Sequence, residues 1–339
     1  MVIMSGKNNR DKVAALAGVS SATVSRVYNN PERVSESRRK SVLDAAKALG
    51  YSPDKSASAL RRRGTGQVSL VRFEKKDRPW YWGDFPASKW FFTDALTGIL
   101  PVVDSSMFRL NLKTLRSPDD VERIRWEKEC DGVLFYDVDE KTEAQAAQRM
   151  NVPAVLSHHT SQFRMNHCVT TDNFEGGRLA SSHLKEAGYS HPVYISYLPE
   201  AIIPNRDRYR GFCSGWGQDI HQIITDPGKE GGYNAALSIL GDLKSGRIDC
   251  IAVVNDMTAI GVIQCLQDHK LKPGKDLGLI GYDNMPLNYV LPFRMATVDL
   301  QPSLIYEEAA KMLLEIIADP ERKATTKTIL PLLIPGDTV

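Results

Sequence analysis

In AGVSSATVSRVYNN, residues 17–30, Ser21, Ala22, Ser25, Arg26 and Asn29 recur at the spacing of one helix face, with Val24, Val27 and Tyr28 on the other. Small side chains at Ser21 and Ala22 let a backbone approach closely, and the planar fork of Arg26 matches the O6 and N7 acceptors of guanine. A helix with this face is suited to reading base edges in a DNA major groove. Far along the chain, Arg208, Asn255 and Asp283 are side chains that can bind hydroxyls through paired hydrogen bonds. Asn255, Asp256 and Asp283 end apolar runs that read as strands, and parallel α/β sheets bind ligands outside such ends. Arg208 is expected to open a helix nearby, and Asp256 is expected either to contact ligand or to hold its strand end.

The reading helix needs a scaffold, and the neighbouring residues supply one. A first helix is expected over residues 10–17 with Val13, Leu16 and Ala17 inward, then a turn at Gly18 and Val19, and Ser20 as cap of a helix over Ser21–Asn29. A third helix, residues 36–49, buries Val42, Ala45, Ala46 and Leu49 between a Ser35 cap and a Gly50 stop. Two helices joined by a tight glycine turn form a helix-turn-helix. Charge points the same way. Residues 1–66 hold 13 basic and 5 acidic residues, a net of +8, whereas the rest holds 30 and 36, a net of −6. A basic head on an acidic body calls for an anionic polymer as the head's partner.

The stretch DKVAALAGVSSATVSRVYNNPERVSESRRKSVLDAAKALGYSPDKSASAL, residues 11–60, resembles the headpiece of the LacI/GalR family of bacterial transcription regulators. It carries V-A-x-x-A-G-V-S, T-V-S-R-V-x-N, V-S-x-x-R-R and L-G-Y-x-P in one register. The resemblance implies that Ser21, Ala22 and Arg26 read bases, while Thr23, Ser25, Asn29 and Tyr51 contact phosphate or brace the fold. It makes DKSASALRRRGTG a hinge that helps bind DNA through Ala57 and Leu60, with Leu60 wedged into the minor groove at a central C-G step. Lys12 stands where the family usually has an acidic residue, and Asp54 replaces a common Asn.

After the hinge, apolar runs at 68–73, 132–137, 153–158, 192–197, 250–256 and 277–283 alternate with amphipathic stretches such as 174–187, 232–244 and 257–269. That order implies an α/β body of parallel sheets flanked by helices. The landmarks TDNFEGGRLASSHLKEAGYSH, RYRGF, VVNDMTAIGV and LIGYDN resemble the family's two-lobed, periplasmic-binding-protein-like effector domain. The expected division is a headpiece at 1–52, a hinge and linker at 53–66, and an effector-binding and dimerisation domain at 67–339. Its first lobe takes about 67–169 and 299–325, its second about 170–298 and 326–339. The resemblance assigns Arg208, Asn255 and Asp283 to a small effector. The insertion-like EKKDRPWYWGDFPASKW, residues 74–90, departs from the family, and its Trp80, Tyr81, Trp82, Phe85 and Trp90 suit either a ligand platform or a subunit interface. Trp90 and Phe91 join the expected effector residues.

The expected partners are double-stranded operator DNA, a sugar-like effector and a second copy of the chain, with no membrane, metal, catalytic residue or cofactor. The five cysteines lie far apart with no C-x-x-C pair and read as small buried residues. The first ten residues lack the apolar block of a secretory signal, which places the chain in the cytoplasm, on the nucleoid when bound to DNA. The reading is a homodimeric repressor of carbohydrate-use genes, against the alternatives of a corepressor-dependent regulator or a solute-binding protein.

Overall fold

Strong local signals set the first three helices, α1 (Lys7–Leu16), α2 (Ser21–Asn29) and α3 (Glu36–Ala48). The structure is a computed structural model that describes residues 7–29, 33–51, 64–74, 86–136, 138, 141–158, 166–198, 202–286 and 291–339. Gly18 ends α1 by adopting a φ of 65°, which lets Val19 N donate to Ala14 O at 3.0 Å. Ser20 then caps α2, its Oγ accepting from Thr23 N at 3.1 Å. Ser35 sits at the N-cap of α3 but makes no side-chain cap bond, contrary to expectation. Val13, Val24, Val27, Val42, Ala45 and Ala46 form the core of this unit. Leu16 and Leu49, expected inside, are 59% and 40% exposed. So small a core closes on valine and alanine and has no depth for two more leucines.

The body begins with β1 (Gln67–Phe73), α4 (Pro86–Ser105), β2 (Arg109–Leu115), α5 (Asp120–Arg123), α6 (Trp126–Glu129), β3 (Gly132–Phe135), α7 (Lys141–Gln148), β4 (Ala154–His158) and β5 (His167–Thr171). It continues with α8 (Asn173–Glu186), β6 (Pro192–Ser196), α9 (Ile203–Trp216), β7 (Gln222–Ile224), α10 (Lys229–Ser238), α11 (Leu240–Ser245), β8 (Cys250–Val253) and α12 (Asp256–Asp268). The last elements are β9 (Gly278–Ile280), β10 (Thr297–Asp299), α13 (Pro302–Ala318), β11 (Thr326–Ile329) and β12 (Leu332–Ile334).

One sheet has the order β11-β5-β4-β3-β1-β2 and another β7-β6-β8-β9, both built of parallel pairs. Helices covering both faces of a parallel sheet leave no solvated side, so GVLF of β3 and CIAV of β8 are buried at every position. The antiparallel pair β10-β12 is a separate two-stranded ladder, tied to the end of β9 where Gly281 N donates to Ala296 O at 2.9 Å. Because β11 pairs with β5, residues 326–329 extend the first sheet, whereas the sequence grouped them with the second lobe. All five cysteines are buried free thiols, as expected. No helix among the described residues is long and apolar enough to cross a membrane.

Candidate functional site

On α2, Val24 and Val27 point into the three-helix core while Ala22 and Arg26 are exposed, so the face expected to read bases is presented to solvent. Ser21, half-buried, is tied back to α1, its Oγ donating to Asp11 Oδ1 at 2.5 Å. Thr23 Oγ1 lies 3.0 Å from Ser20 Oγ and shares in the cap. Tyr51 packs edge-on against Tyr28, with ring centroids 6.2 Å apart, and closes the core. Ser25 is half-buried. Asn29 ends α2, but its side chain lies outside the described residues, as do Ala57, Leu60, Trp80, Tyr81, Trp82 and Phe85.

The second group forms around a buried guanidinium. Arg208 lies within α9, which starts at Ile203 with Pro204 in its first turn, so it does not open the helix as expected. Its Nε donates to Asn173 Oδ1 at 2.9 Å and its Nη1 to Val254 O at 2.8 Å. Nη1 also lies 3.2 Å from Asp283 Oδ1, and the guanidinium carbon sits 3.8 Å from the Tyr282 ring centroid. The first residue of α8, the end of β8 and the loop after β9 thus fix one cation from three directions.

Asp283 reaches it from a strained backbone. Asp283 and Asn284 have φ of 109° and 55°, values L side chains rarely adopt. The surroundings hold them there: Asp283 N donates to Val298 O at 2.8 Å and Asn284 Nδ2 to Asp299 Oδ2 at 3.0 Å. Strain of this kind persists where neighbouring structure over-determines it, which is common at binding sites. Burial pushes the Asp283 carboxyl up to about 6, against the downward pull of Arg208. The folded protein therefore holds this proton more tightly than the unfolded chain. The group adds stability that is complete below about pH 4 and is lost as pH rises to about 6. Asp283→Asn is expected to remove that fall from the pH profile of urea unfolding, and an unchanged profile would show that Asp283 does not titrate there.

Asn255 stands beside this pair but is also a cap. Its Oδ1 accepts from Thr258 N at 2.9 Å to start α12, and its Nδ2 donates to Tyr197 Oη at 2.9 Å. Asp256, fully buried, holds the strand end: it accepts from Thr297 Oγ1 and from Met285 N, each at 2.8 Å. Trp90 and Phe91 come from α4. Phe91 sets its edge toward Tyr136, just past β3, and toward Tyr306, at 5.9 and 6.1 Å between centroids. Trp90 packs against the apolar cluster of β8, α12 and the 285–295 segment. It therefore bridges from the first lobe to the second.

The helices carrying Arg208 and Asn173 approach closely because Gly177 has no side chain. A Cβ there would lie 1.9 Å from Arg208 O. Gly177→Ala is expected to force α8 from α9 and cost about 1–3 kcal/mol of stability, read by urea unfolding; a midpoint equal to wild type would show that the contact relaxes freely.

Outside this region, Ser190, His191 and Asp249 meet in an arrangement that superficially suits nucleophilic chemistry. Nδ1 of His191 faces both Ser190 Oγ, at 3.0 Å, and Asp249 Oδ2, at 3.3 Å. A catalytic relay needs the two different ring nitrogens. Here Asp249 instead accepts from the backbone N–H groups of Ser190 and His191 at 2.9 and 2.8 Å and tethers the turn before β6. Among the described residues no group of His, Cys, Asp and Glu is placed to hold a metal.

Residues 11–54 match the model of bacterial regulatory proteins of the lacI family, and residues 181–339 match a periplasmic binding protein-like domain. The chain belongs to the LacI family. It is a DNA-binding transcriptional regulator of that family. A LacI-family relative, the HTH-type transcriptional repressor PurR of Mannheimia succiniciproducens, is 25% identical over 338 residues, covering 95% of this chain and 96% of its own. The HTH-type transcriptional regulator CelR of Thermobifida fusca is 25% identical over 319 residues, covering 91% of each chain. A structure of a CelR–cellobiose complex shares the fold with a TM-score of 0.68 at 23% identity, over 97% of this chain and 99% of that one. The Lac repressor dimer bound to operator and the anti-inducer ONPF gives 0.65 at 20% identity, over 96% and 97%.

Within this LacI-family chain, sequence reasoning missed Asn173, Tyr197 and Tyr282, the residues that aim Arg208 and Asn255. Asn173 stood in the quoted TDNFEGG landmark, where its position just after the Asp172 cap of α8 was the available signal.

Proposed function

We propose that the chain acts as a homodimeric repressor of carbohydrate-use genes, binding a near-palindromic operator and released by a sugar-like effector. In this reading residues 1–52 form the headpiece, 53–66 the hinge, and the body from 67 onward binds effector and pairs the subunits. Ser21, Ala22 and Arg26 read bases; Thr23, Ser25, Asn29 and Tyr51 contact phosphate or brace; Ala57 and Leu60 act in the central minor groove. The observation that carries the effector half is the buried Arg208–Asp283 pair at 3.2 Å, at the carboxyl side of the second sheet. With Asn255 beside it and Trp90 and Phe91 from the first lobe, it offers donors, an acceptor and apolar rings, the mixture a sugar ring needs. That relatives include a CelR–cellobiose complex and a LacI-family regulator with bound ribose supports a carbohydrate.

Effector closing the lobes would disfavour the paired hinges. Such coupling requires unequal affinity for the two states and is reciprocal, so operator DNA weakens an inducer. The test is selection from a randomised duplex pool at two salt concentrations, then titration of the selected duplex with cellobiose, ribose and other sugars. A palindromic motif released by one sugar supports the reading. Binding that appears only with the sugar present makes it a corepressor, and sugar binding without any salt-sensitive DNA binding overturns the repressor reading.

A further inference from the structure

At the amino ends of the first sheet's strands, opposite the ends that face the effector region, lies a cavity of ≈ 360 Å³. Its volume falls in the range of small-molecule sites. Met107, Phe108, Val152, Pro153, Ile317 and Pro320 give it an apolar wall. The polar side chains on it are acidic or neutral: Glu127, Asp131 and the buried Cys130 thiol, whose pKa burial pushes up. No Lys, Arg or His is among the described residues lining it. Glu127 is held ionised by the hydrogen bond it accepts from Asn151 Nδ2 at 2.8 Å and by Arg125, whose Nε lies 3.3 Å from its Oε1. An anion such as a sugar phosphate would meet the Glu127 and Asp131 carboxylates and no cationic side chain among the described lining residues. A compact apolar molecule with one ammonium group meets complementary surfaces at both ends.

The cavity also touches the strap that leads from the hinge segment into the body. Gly64 and Gly66 form part of its wall, and Asp131 clamps this strap by accepting from Thr65 N and Gly66 N, each at 2.7 Å. Asp131 N in turn donates to Gln67 O at 2.8 Å, joining the strap to the first residue of β1. An occupant therefore contacts the covalent link between headpiece and body without entering the effector region.

We propose that this cavity is a second binding site, for a small hydrophobic monoamine, and that its occupancy alters operator affinity through the Gly64–Gly66 strap. The second clause rests on the regulator reading; the first does not. Phenethylamine and its anionic counterpart 3-phenylpropionate are the probes, titrated by calorimetry into the full-length protein. The amine is expected to bind saturably and about tenfold more tightly than the carboxylate. Ile317→Trp, which fills the cavity, should abolish amine binding, and Glu127→Gln, at the exposed rim, should weaken it without disturbing the fold. Absence of saturable amine binding, equal binding of both probes, or amine affinity unchanged in Ile317→Trp and Glu127→Gln would overturn the site. Operator affinity is then measured by fluorescence anisotropy with and without amine. A shift that Glu127→Gln reduces supports the coupling. Amine binding with no shift in an operator-competent protein overturns the coupling alone, and lack of operator binding under all conditions counts instead against the regulator reading.

Discussion

Arg208→Met is expected to lower folding stability by roughly 3–5 kcal/mol and to abolish the effector's influence on operator binding. The substitution keeps most of the side chain's bulk, so the loss is electrostatic. Asp283 would be left buried without the cation 3.2 Å away that pulls its carboxyl down, so keeping it ionised there becomes more costly than in the wild type. The acceptors Asn173 Oδ1 and Val254 O would each lose a donor as well. Removing one member of a buried ion pair costs more than the pair contributes, because the surviving charge keeps its desolvation penalty. The double variant Arg208→Met/Asp283→Asn separates structure from function: it should recover much of the stability, since no charge is stranded, yet stay unresponsive. Urea unfolding and operator titration with the identified sugar give both readouts. A single variant as stable as wild type would sink the electrostatic account, and a double variant that still responds to sugar would remove this pair from the effector site.

That pair illustrates what a sequence can and cannot disclose. Arg208 and Asp283 were legible as residue types in recognisable contexts, but their meeting depends on α9, β9 and β10 packing together, which no local spacing encodes. Asn255 was legible in two ways at once. Its type suits a ligand, and its place before DMT suits a helix cap; the structure shows the cap, with Oδ1 on Thr258 N. The buried strands β3 and β8 announced themselves as short apolar runs. Strand β2, RLNLKTL, did not, because it is an edge strand with only Leu115 fully buried and reads as a charged, half-exposed stretch. Three-residue strands such as β7 and β10 are shorter than any window in which alternation can be judged. The headpiece was the most legible part because its fold is set by contacts close in sequence: a cap at Ser20, a left-handed turn at Gly18 and valines spaced along the helices.

The same locality makes the proposed DNA-reading face open to a sharp test. Arg26→Ala should leave the three-helix unit folded, because the side chain is exposed and the core is carried by Val24 and Val27 on the opposite side of α2. The expected loss is specific: about 1–3 kcal/mol of discrimination at one base-pair position in each half-site, so roughly 2–6 kcal/mol over a palindrome bound by two headpieces. Nonspecific affinity should fall only slightly, since one charge among the 13 basic residues of the +8 head is removed. Repeating the duplex selection with the variant reads this directly. A motif that goes degenerate at one symmetric pair of positions identifies the base that Arg26 reads, whereas an unchanged motif with uniformly weaker binding would make Arg26 a phosphate contact. Ala22 gives the complementary result, because it contributes space rather than a hydrogen bond. Enlarging it to Leu on the exposed face should keep the helix and obstruct approach to the base edges, weakening specific binding far more than nonspecific binding. Together the two variants distinguish a helix seated in the major groove from one that merely rests on the phosphate backbone.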